Sequence, residues 1–254
     1  MDRLKKLFDG GEMILSAWSG MQDPMYLAAL ARTGIDAVML DMQHGMQTET
    51  SLIAGITALA PTGKPCLVRI PVGRFDLVSR ALDAGAHGII APMINSVEDA
   101  EQLVSFAKYI PVGDRSFGAA YAASIMGVPP VEYVKAANTN TTIFAMIETQ
   151  QAADNMEGIL DVDGIDGIFC GPGDLSISVR QNVVPDAYGP DTMPIIERMV
   201  AEAKKRNKLT ATWCGSVDHL ELVQKLGFNY AAMGHDALIL SQGADAMIEK
   251  LSFR

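Results

Sequence analysis

Five polar residues of the kinds that act in enzyme sites stand at or just beyond the ends of apolar, strand-like runs: Asp41, His44, Arg69, Glu148 and Asp174. In an α/β barrel, the carboxyl ends of the parallel strands open into one shared mouth, where catalytic side chains collect. A pair of carboxylates there would suit a hard divalent cation such as Mg²⁺, which leaves positions open for water or substrate. The pattern therefore predicts that acids, an imidazole and a guanidinium converge at one mouth.

Each of these residues also has a structural alternative. Arg69 could face an oxygen that becomes negative during a reaction, or it could form an ion pair with Asp41 or Glu148. Asp174 could bind a metal, or it could cap a short helix that begins at Leu175. The start of that helix would also offer backbone N–H groups to a substrate carboxylate.

His44 lies three residues beyond Asp41, after a strand and with an acid nearby. An imidazole titrates near neutral pH, so we favour a proton-transfer role for His44 over a structural one. Trp18 ends the first strand and Trp213 lies in the seventh, where each could wall the pocket or pack in the core. His235 follows the last strand and is placed to approach the mouth.

A weak internal repeat supplies the elements that would position these residues. Four units share a glycine, a turn residue and an apolar strand, and four further apolar runs lie between them. Each glycine suits the end of a helix followed by a short loop. The eight predicted strands lie at Met13–Trp18, Gly34–Leu40, Lys64–Ile70, Gly85–Ile90, Thr142–Ile147, Gly164–Cys170, Thr210–Trp213 and Gly227–Met233.

Segments with helical periodicity separate the strands. Helices are predicted from Asp23-Pro24, from Ser96, over Asp191 to Lys208 and over Ser216 to Leu226, with Asp236 as the cap of the last helix. Strict alternation of this kind predicts a single-domain (β/α)8 TIM barrel over residues 1–254. An open doubly wound sheet is the alternative, disfavoured because no Gly-x-Gly-x-x-Gly turn follows an early strand.

Two long segments interrupt the alternation, at Pro111 to Asn140 and Arg180 to Pro194. Long loops in compact domains are often functional or interfacial. We expect these segments to extend over the mouth or into a neighbour, as an acceptor-side lid and a subunit contact.

Composition excludes several classes of protein. The chain has 254 residues, a formal charge of −10 and scattered Lys and Arg, so it lacks the basic footprint of a nucleic-acid-binding protein. Its first residues are not followed by an apolar signal core, and no run reaches membrane-spanning length. We therefore expect a cytoplasmic protein without a membrane partner. The three cysteines, Cys66, Cys170 and Cys214, are predicted to be reduced core thiols.

Seven short motifs, in order along nearly the whole chain, resemble the HpcH/HpaI family of class II, metal-dependent pyruvate aldolases. They are Asp41-Met42-Gln43-His44-Gly45, Val68-Arg69-Ile70-Pro71, Leu82-Asp83-Ala84-Gly85-Ala86, Ala91-Pro92-Met93, Pro111-x-Gly113-x-Arg115, Ile147-Glu148-Thr149 and Gly171-Pro172-Gly173-Asp174-Leu175. The resemblance implies a (β/α)8 barrel whose last helix is exchanged between subunits, assembled as a homohexamer that is a trimer of dimers.

The resemblance also implies a reaction. A divalent cation (Mg²⁺, Mn²⁺ or Co²⁺) would chelate pyruvate, or a close 2-oxo acid such as hydroxypyruvate. A base would remove a methyl proton, and the enolate would attack an aldehyde to give a 4-hydroxy-2-oxo acid.

Carried over residue by residue, the resemblance makes Glu148 and Asp174 the metal ligands and Arg69 the residue that steadies the enolate oxygen. The backbone around Gly173 and Asp174 would receive the pyruvate carboxylate, beside Trp18 in the pocket wall.

The same resemblance makes His44 the acid/base, with Asp41 orienting water or His44. It also pairs Asp83 with the histidine. Because Asp83 is predicted at a helix end on the barrel face opposite the mouth, that pairing would need another subunit.

Departures from the family pattern bear on the substrate. The family usually has Glu where this chain has Gln43, and Gln where it has Met146. Many members have an Arg near Ala123, thought to hold an acidic aldehyde, whereas this chain has small residues there. We therefore expect a neutral or hydroxylated aldehyde acceptor.

Other classes of function remain open. A Schiff-base aldolase needs a desolvated lysine on a barrel strand, but Lys64 begins its strand and would lie at the wrong face. A carbon–carbon lyase of the citrate lyase or malyl-CoA lyase type would act on acyl-CoA instead. A non-catalytic barrel is the third alternative, with Gln43 and Met146 as signs of lost catalysis.

Overall fold

The computed structural model describes residues 1–251, in which eight parallel strands close into a barrel. Strands pair in chain order, and the first pairs with the eighth to complete the ring. The strands are β1 (Ile14–Ser19), β2 (Ala37–Asp41), β3 (Cys66–Arg69), β4 (Gly88–Ala91), β5 (Thr142–Ile147), β6 (Gly167–Cys170), β7 (Leu209–Cys214) and β8 (Tyr230–Met233). The predicted (β/α)8 barrel is confirmed, and the open doubly wound sheet is wrong. The predicted domain ran to residue 254, and its last three residues lie outside the described ones.

Helices follow or precede the strands around the outside of the barrel. Within residues 1–251 they are α1 (Arg3–Asp9), α2 (Pro24–Leu30), α3 (Glu49–Leu59), α4 (Asp76–Asp83), α5 (Val97–Ala107), α6 (Ala120–Met126), α7 (Pro130–Asn140), α8 (Gln150–Asp154), α9 (Met156–Asp161), α10 (Pro172–Arg180), α11 (Met193–Lys205), α12 (Val217–Leu226) and α13 (Asp236–Ile248). None of these helices combines the length and the apolar character that crossing a bilayer requires.

The predicted helix starts are largely confirmed. The side chains of Asp23 and Ser96 cap α2 and α5, the latter in a capping box, and Ser216 caps α12. The last helix is an exception, because His235, not Asp236, provides the capping side chain of α13.

Buried side chains form two shells that the alternation of each strand separates. Met39, Leu67 and Met146 belong to the cluster inside the barrel, whereas Val38 and Val68 belong to the cluster between strands and helices. Side chains two positions apart on a strand share a face. Asp41 therefore shares the inner face of β2 with Met39 and lies at the mouth. Arg69 and Glu148 occupy the same position at the ends of β3 and β5. The three cysteines are free and buried, as predicted.

The two long segments lie at opposite ends of the barrel. The segment from Pro111 to Asn140 connects the end of α5 to the start of β5, so it lies at the amino-terminal face, away from the mouth. The prediction that it forms a lid over the mouth is therefore wrong within one protomer. The segment from Arg180 to Pro194 does reach the mouth side, where the Tyr188 hydroxyl donates to the carbonyl oxygen of Trp213 at 2.9 Å.

The final helix makes little contact with its own barrel. Of the residues of α13, all of which are described, only Asp236 is buried. Leu240 is 50%, Met247 74% and Ile248 41% exposed. The helix thus leaves apolar side chains uncovered in the isolated protomer.

Candidate active site

A cavity of about 530 Å³ opens at the carboxyl ends of the strands. Volumes of this size are typical of small-molecule sites. The cavity is lined by Trp18, Gly20, Met21, Asp41, His44, Gly45, Met46, Arg69, Met146, Gly171, Pro172, Gly173, Asp174, Trp213, His235, Asp236 and Ala237. The structure therefore brings together most of the predicted site residues, with Glu148 adjoining the cavity behind Gly171.

Asp41 and Arg69 form a buried bidentate ion pair. The register of β2 and β3 places the two residues opposite one another. Arg69 donates from Nε to Oδ1 at 2.9 Å and from Nη2 to Oδ2 at 2.7 Å. Burial alone would raise the pKa of Asp41, but the hydrogen bond and charge of Arg69 outweigh burial and hold that pKa below its usual range.

Trp18 fixes this ion pair from the side. Its Nε1 donates to Asp41 Oδ2 at 3.2 Å, and the Arg69 guanidinium carbon lies 4.4 Å from the centroid of the indole ring. Two of the three guanidinium nitrogens are committed to Asp41, which leaves Nη1 as the group that Arg69 presents to the cavity. A guanidinium held this rigidly loses little entropy when it binds an anionic oxygen.

Glu148 lies almost fully buried, with 2% of its surface exposed. Its Oε1 accepts a hydrogen bond from the Met93 backbone N–H at 2.8 Å. Burial raises the pKa of Glu148 to about 7, the nearby charge of Asp174 adds to the increase, and the Met93 amide and Arg69 oppose it. A Cβ on Gly171 would lie 2.7 Å from Glu148 Oε2, so that second oxygen occupies space that only glycine leaves free.

Asp174 stands in the first turn of α10. The helix begins at Pro172 after Gly171, so the predicted start at Leu175, with Asp174 as its cap, is wrong. The N–H of Leu175 donates to the Gly171 carbonyl oxygen at 2.9 Å. The N–H groups of Gly173 and Asp174 precede that bond and belong to the set that a helix leaves without an internal partner. A Cβ built on Gly173 would meet nothing within 4 Å, because the residue faces the cavity.

His44 is exposed and lines the cavity on the loop after β2. Asp41 Oδ1 accepts from the backbone N–H groups of Gln43 at 3.0 Å and His44 at 3.4 Å. Asp41 thus orients the main chain that carries the histidine, and the Asp41 hydrogen bonds of the protomer do not include the imidazole. A Cβ on Gly45 would lie 2.6 Å from the Gly20 Cα, so two glycines let the loops after β1 and β2 touch.

Asp83 does not join these residues within one protomer. It ends α4 at the amino-terminal face, where its Oδ1 accepts from Arg115 Nη2 at 2.6 Å. The Arg115 guanidinium also lies 4.6 Å from the centroid of the Tyr109 ring. The predicted pairing of Asp83 with His44 is therefore not made inside the protomer.

One anchor of the site escaped the sequence analysis. Asp236 Oδ2 accepts from the backbone N–H groups of Gly20 at 2.7 Å and Met21 at 2.9 Å. It thereby ties the start of α13 to the loop after β1, which forms part of the cavity wall. An acid at the start of a helix predicts a cap, and nothing in the local sequence distinguishes that role from the anchoring role of Asp236.

Comparison with known proteins identifies the family. The model of the HpcH/HpaI aldolase/citrate lyase family matches residues 15–242. The chain belongs to this family.

Named relatives of this HpcH/HpaI family member are aldolases. The chain is 32% identical over 248 residues to the hydroxypyruvate/pyruvate aldolase of Rhizorhabdus wittichii, covering 98% of each protein. It is 31% identical over 246 residues to the 2-keto-3-deoxy-L-rhamnonate aldolase of Escherichia coli, covering 96% of this chain and 89% of the relative. The protein is therefore an enzyme of the aldolase type, a carbon–carbon lyase.

Solved structures agree on the fold. An HpcH/HpaI aldolase/citrate lyase family protein from Burkholderia cenocepacia superposes with a TM-score of 0.86 at 25% identity, covering 98% of this chain and 99% of that one. An HpcH/HpaI aldolase from Desulfitobacterium hafniense superposes with a TM-score of 0.87 at 24% identity, covering 99% and 98%. The second likeness shows the fold alone.

The donor set of this HpcH/HpaI barrel fits a hard cation with few protein ligands. Residues 1–251 contain no group of three or more His, Cys, Asp or Glu side chains arranged to hold a metal ion. Two carboxylates lie at the cavity. Asp174 lines it, and Glu148 adjoins it with one oxygen outside the Met93 hydrogen bond. Two carboxylates match the ligand number that Mg²⁺ takes when water and substrate complete its shell.

Proposed function

We propose that this protein catalyses the reversible aldol addition and cleavage of pyruvate or hydroxypyruvate with an aldehyde, through an enolate, to form 4-hydroxy-2-oxo acids. The observation that carries the proposal is the convergence of Asp174, Arg69 and His44 on one cavity, with Glu148 next to it against Gly171, in a chain of this family. The names of the relatives supply the donor, and the chemistry of the site explains how it would be used.

The donor site is built from groups that match a 2-oxo acid. Glu148 and Asp174 would hold a divalent cation such as Mg²⁺, Mn²⁺ or Co²⁺, which when bound withdraws electron density from the keto group and makes the methyl protons more acidic. The N–H groups of Gly173 and Asp174 at the start of α10 would receive the pyruvate carboxylate. Trp18 closes the wall behind the donor and excludes water.

Arg69 supplies charge where the reaction needs it. Removal of a methyl proton leaves negative charge on the keto oxygen, and the free edge of the Arg69 guanidinium would stabilise it. The Asp41 ion pair holds Arg69 in this position before the substrate arrives, so the group does not have to reorganise during the reaction.

His44 would move the proton. In the addition direction it takes a proton from the donor methyl carbon, and the resulting enolate carbon bonds to the aldehyde carbon. The aldehyde oxygen then needs a proton, which the imidazolium can return. Cleavage runs through the same steps in reverse, and no external oxidant or reductant is required.

Two other aldolase mechanisms differ in what they need. A Schiff-base route needs a lysine at the cavity, and none of the lining residues among those described is lysine. A route through acyl-CoA would need a binding site for the nucleotide part of CoA.

We also propose that the active assembly is a homohexamer, a trimer of dimers, in which α13 packs against a second copy. The support is the exposed apolar side of α13, including Leu240, Met247 and Ile248. In such an assembly Asp83 of one subunit would face His44 of another. Mixing inactive His44→Ala and Asp83→Ala variants under subunit exchange would restore activity if the two residues act across subunits, and would restore none if they do not.

Deuterium exchange of the pyruvate methyl group, followed by NMR, tests the donor half-reaction. We expect exchange with Mg²⁺ or Mn²⁺, no exchange with EDTA, and no exchange by Glu148→Ala with metal. Glu101→Ala, at an exposed position of α5, is the control and should exchange like the wild type. Absence of exchange by the wild type with every metal would overturn the proposal in favour of an acyl-CoA lyase or a non-catalytic barrel.

A further inference from the structure

The outer part of the cavity has a polar group that the donor chemistry leaves unused. Trp213, at the end of β7, and His235, after β8, both line the cavity on the side of the eighth strand. Neither belongs to the set that holds the donor. Trp213 and His235 therefore line a part of the cavity that remains for an acceptor aldehyde beside the donor.

The hydrogen bonds of His235 assign its tautomer. Its Nδ1 accepts a hydrogen bond from the Leu238 backbone N–H at 3.4 Å, which caps α13. That bond needs a lone pair on Nδ1, so the neutral ring carries its proton on Nε2. The cap holds the Nδ1 edge against the helix, and the Nε2–H is left as a donor on the other side of an exposed ring at the cavity.

Trp213 provides an apolar wall beside this donor. Its Nε1 donates to the Gly234 carbonyl oxygen at 2.8 Å, so the polar edge of the indole is used by the backbone. Because Gly234 directly precedes His235, this hydrogen bond also fixes the backbone that carries the histidine. A Cβ on Gly215 would lie 2.9 Å from the Trp213 ring, so glycine is what lets the ring take this position.

Of the charged residues that line the cavity, Asp41, Arg69 and Asp236 have hydrogen-bond partners in the protein, and Asp174 belongs to the donor site. The Arg69 guanidinium is bound to Asp41, and Asp236 Oδ2 is bound to the Gly20 and Met21 amides. Among the residues within 1–251 that line the cavity, none is a lysine and Arg69 is the only arginine. A neutral acceptor with a hydrogen-bonding oxygen suits such a surface better than an acceptor with a distal carboxylate.

We propose that His235 determines acceptor specificity by donating from Nε2 to a hydroxyl oxygen of a neutral, hydroxylated aldehyde, whose carbon chain lies along the Trp213 ring. The proposal rests on the aldolase function above and names its acceptor class. His235 contacts the acceptor and takes no part in forming the enolate.

The test compares His235→Ser with the wild type on two aldehydes of equal chain length, glyceraldehyde and propanal. Serine caps helices as well as the best side chains do, so α13 should be retained, but its hydroxyl is too short to replace Nε2. We expect KM for glyceraldehyde to rise about three- to tenfold, the worth of one hydrogen bond. KM for propanal and the pyruvate methyl exchange rate should stay at wild-type values.

Three outcomes would count against the proposal. An equal rise in KM for both aldehydes would mean that the substitution acts through the fold of the loop, and unchanged KM for both would mean that Nε2 contacts no acceptor. Loss of methyl exchange in His235→Ser would place the histidine in the enolisation step instead.

The same measurements separate this proposal from the aldolase function on which it rests. If the wild type itself shows no exchange, the aldolase function fails. Normal exchange without discrimination between the aldehydes overturns only the role of His235. His235→Gln, which restores an N–H donor on a longer chain, should recover part of the preference.

Discussion

Gly171 packs against the side chain of Glu148, and alanine at this position should displace Glu148. A Cβ would come within 2.7 Å of Glu148 Cβ, Glu148 Oε2 and Met146 Cε at once. Ordinary contact begins at 3.4 Å, so these atoms would have to move by about 0.7 Å. The backbone itself tolerates alanine, because φ at Gly171 is −93°. The substitution therefore tests the position of the carboxylate and not the turn.

The expected magnitudes follow from this displacement. Extra atoms in a packed interior typically cost about 1–3 kcal/mol, so Gly171→Ala should lower the free energy of unfolding by about that amount. Shifting a metal ligand or its support typically weakens metal binding about ten- to hundredfold. We expect the Kd for Mn²⁺, measured by calorimetry or by electron paramagnetic resonance, to rise by that factor.

Gly173→Ala provides a matched control two residues further on, in the first turn of α10. A Cβ there meets nothing within 4 Å, so the carboxylates stay in place and Mn²⁺ should bind as to the wild type. Urea unfolding should show no loss of stability, and a gain of up to about 1 kcal/mol, because alanine restricts the unfolded chain. If Gly171→Ala binds Mn²⁺ as tightly as Gly173→Ala does, Glu148 is not a metal ligand and the reasoning fails.

Three further predictions concern other parts of the protein. Burial lowers the pKa of His87 to about 4, so the unfolded chain takes up a proton that the folded one refuses. The free energy of unfolding should therefore fall from about pH 6.5 downward, by about 2 kcal/mol at pH 5. A His87→Gln variant with an equal decline in urea unfolding would contradict this. Arg69→Lys keeps the charge but loses the bidentate bond to Asp41, so methyl exchange should slow about a hundredfold or more; a rate within twofold of the wild type would refute the role of Arg69. Asp236→Ala removes the acceptor of two partly buried amides and should cost about 1–3 kcal/mol of stability; unchanged thermal unfolding would show that the anchor is dispensable.

The barrel could be predicted because its signals are local and repeated. Each strand is a short apolar run, preceded in four of the eight units by a glycine and a turn residue, and helix starts such as Ser96 and Ser216 carry their own capping side chain. Parallel strands that are buried on both faces need helices to cover the outer face and a closed ring to bury the inner one. Eight repeats of the strand–helix unit therefore favour a barrel. The polar residue at the end of a strand then had to lie at the mouth, as Arg69 and Glu148 do.

Partners within the site depended on distances that no local pattern contains. Sequence left Arg69 with either Asp41 or Glu148, and the register of β2 and β3 decided for Asp41 by placing it directly opposite. At the start of the last helix, the sequence predicted Asp236 as the cap. In the structure, His235 caps the helix, and Asp236 accepts from the amide of Gly20, more than two hundred residues earlier in the chain.

The sequence by itself therefore determined the elements, the closed barrel and the end of the barrel at which chemistry occurs, because alternation and capping act over a few residues. Only the tertiary structure decided which acid holds the arginine and which nitrogen of His235 is free to donate. It also showed that Asp83 lies away from the mouth of its own barrel, paired with Arg115. The physical reason is that hydrogen bonds and ion pairs between side chains from different strands need donor–acceptor distances near about 3 Å, within a few tenths of an ångström. Those distances are fixed only when the ring of eight strands closes.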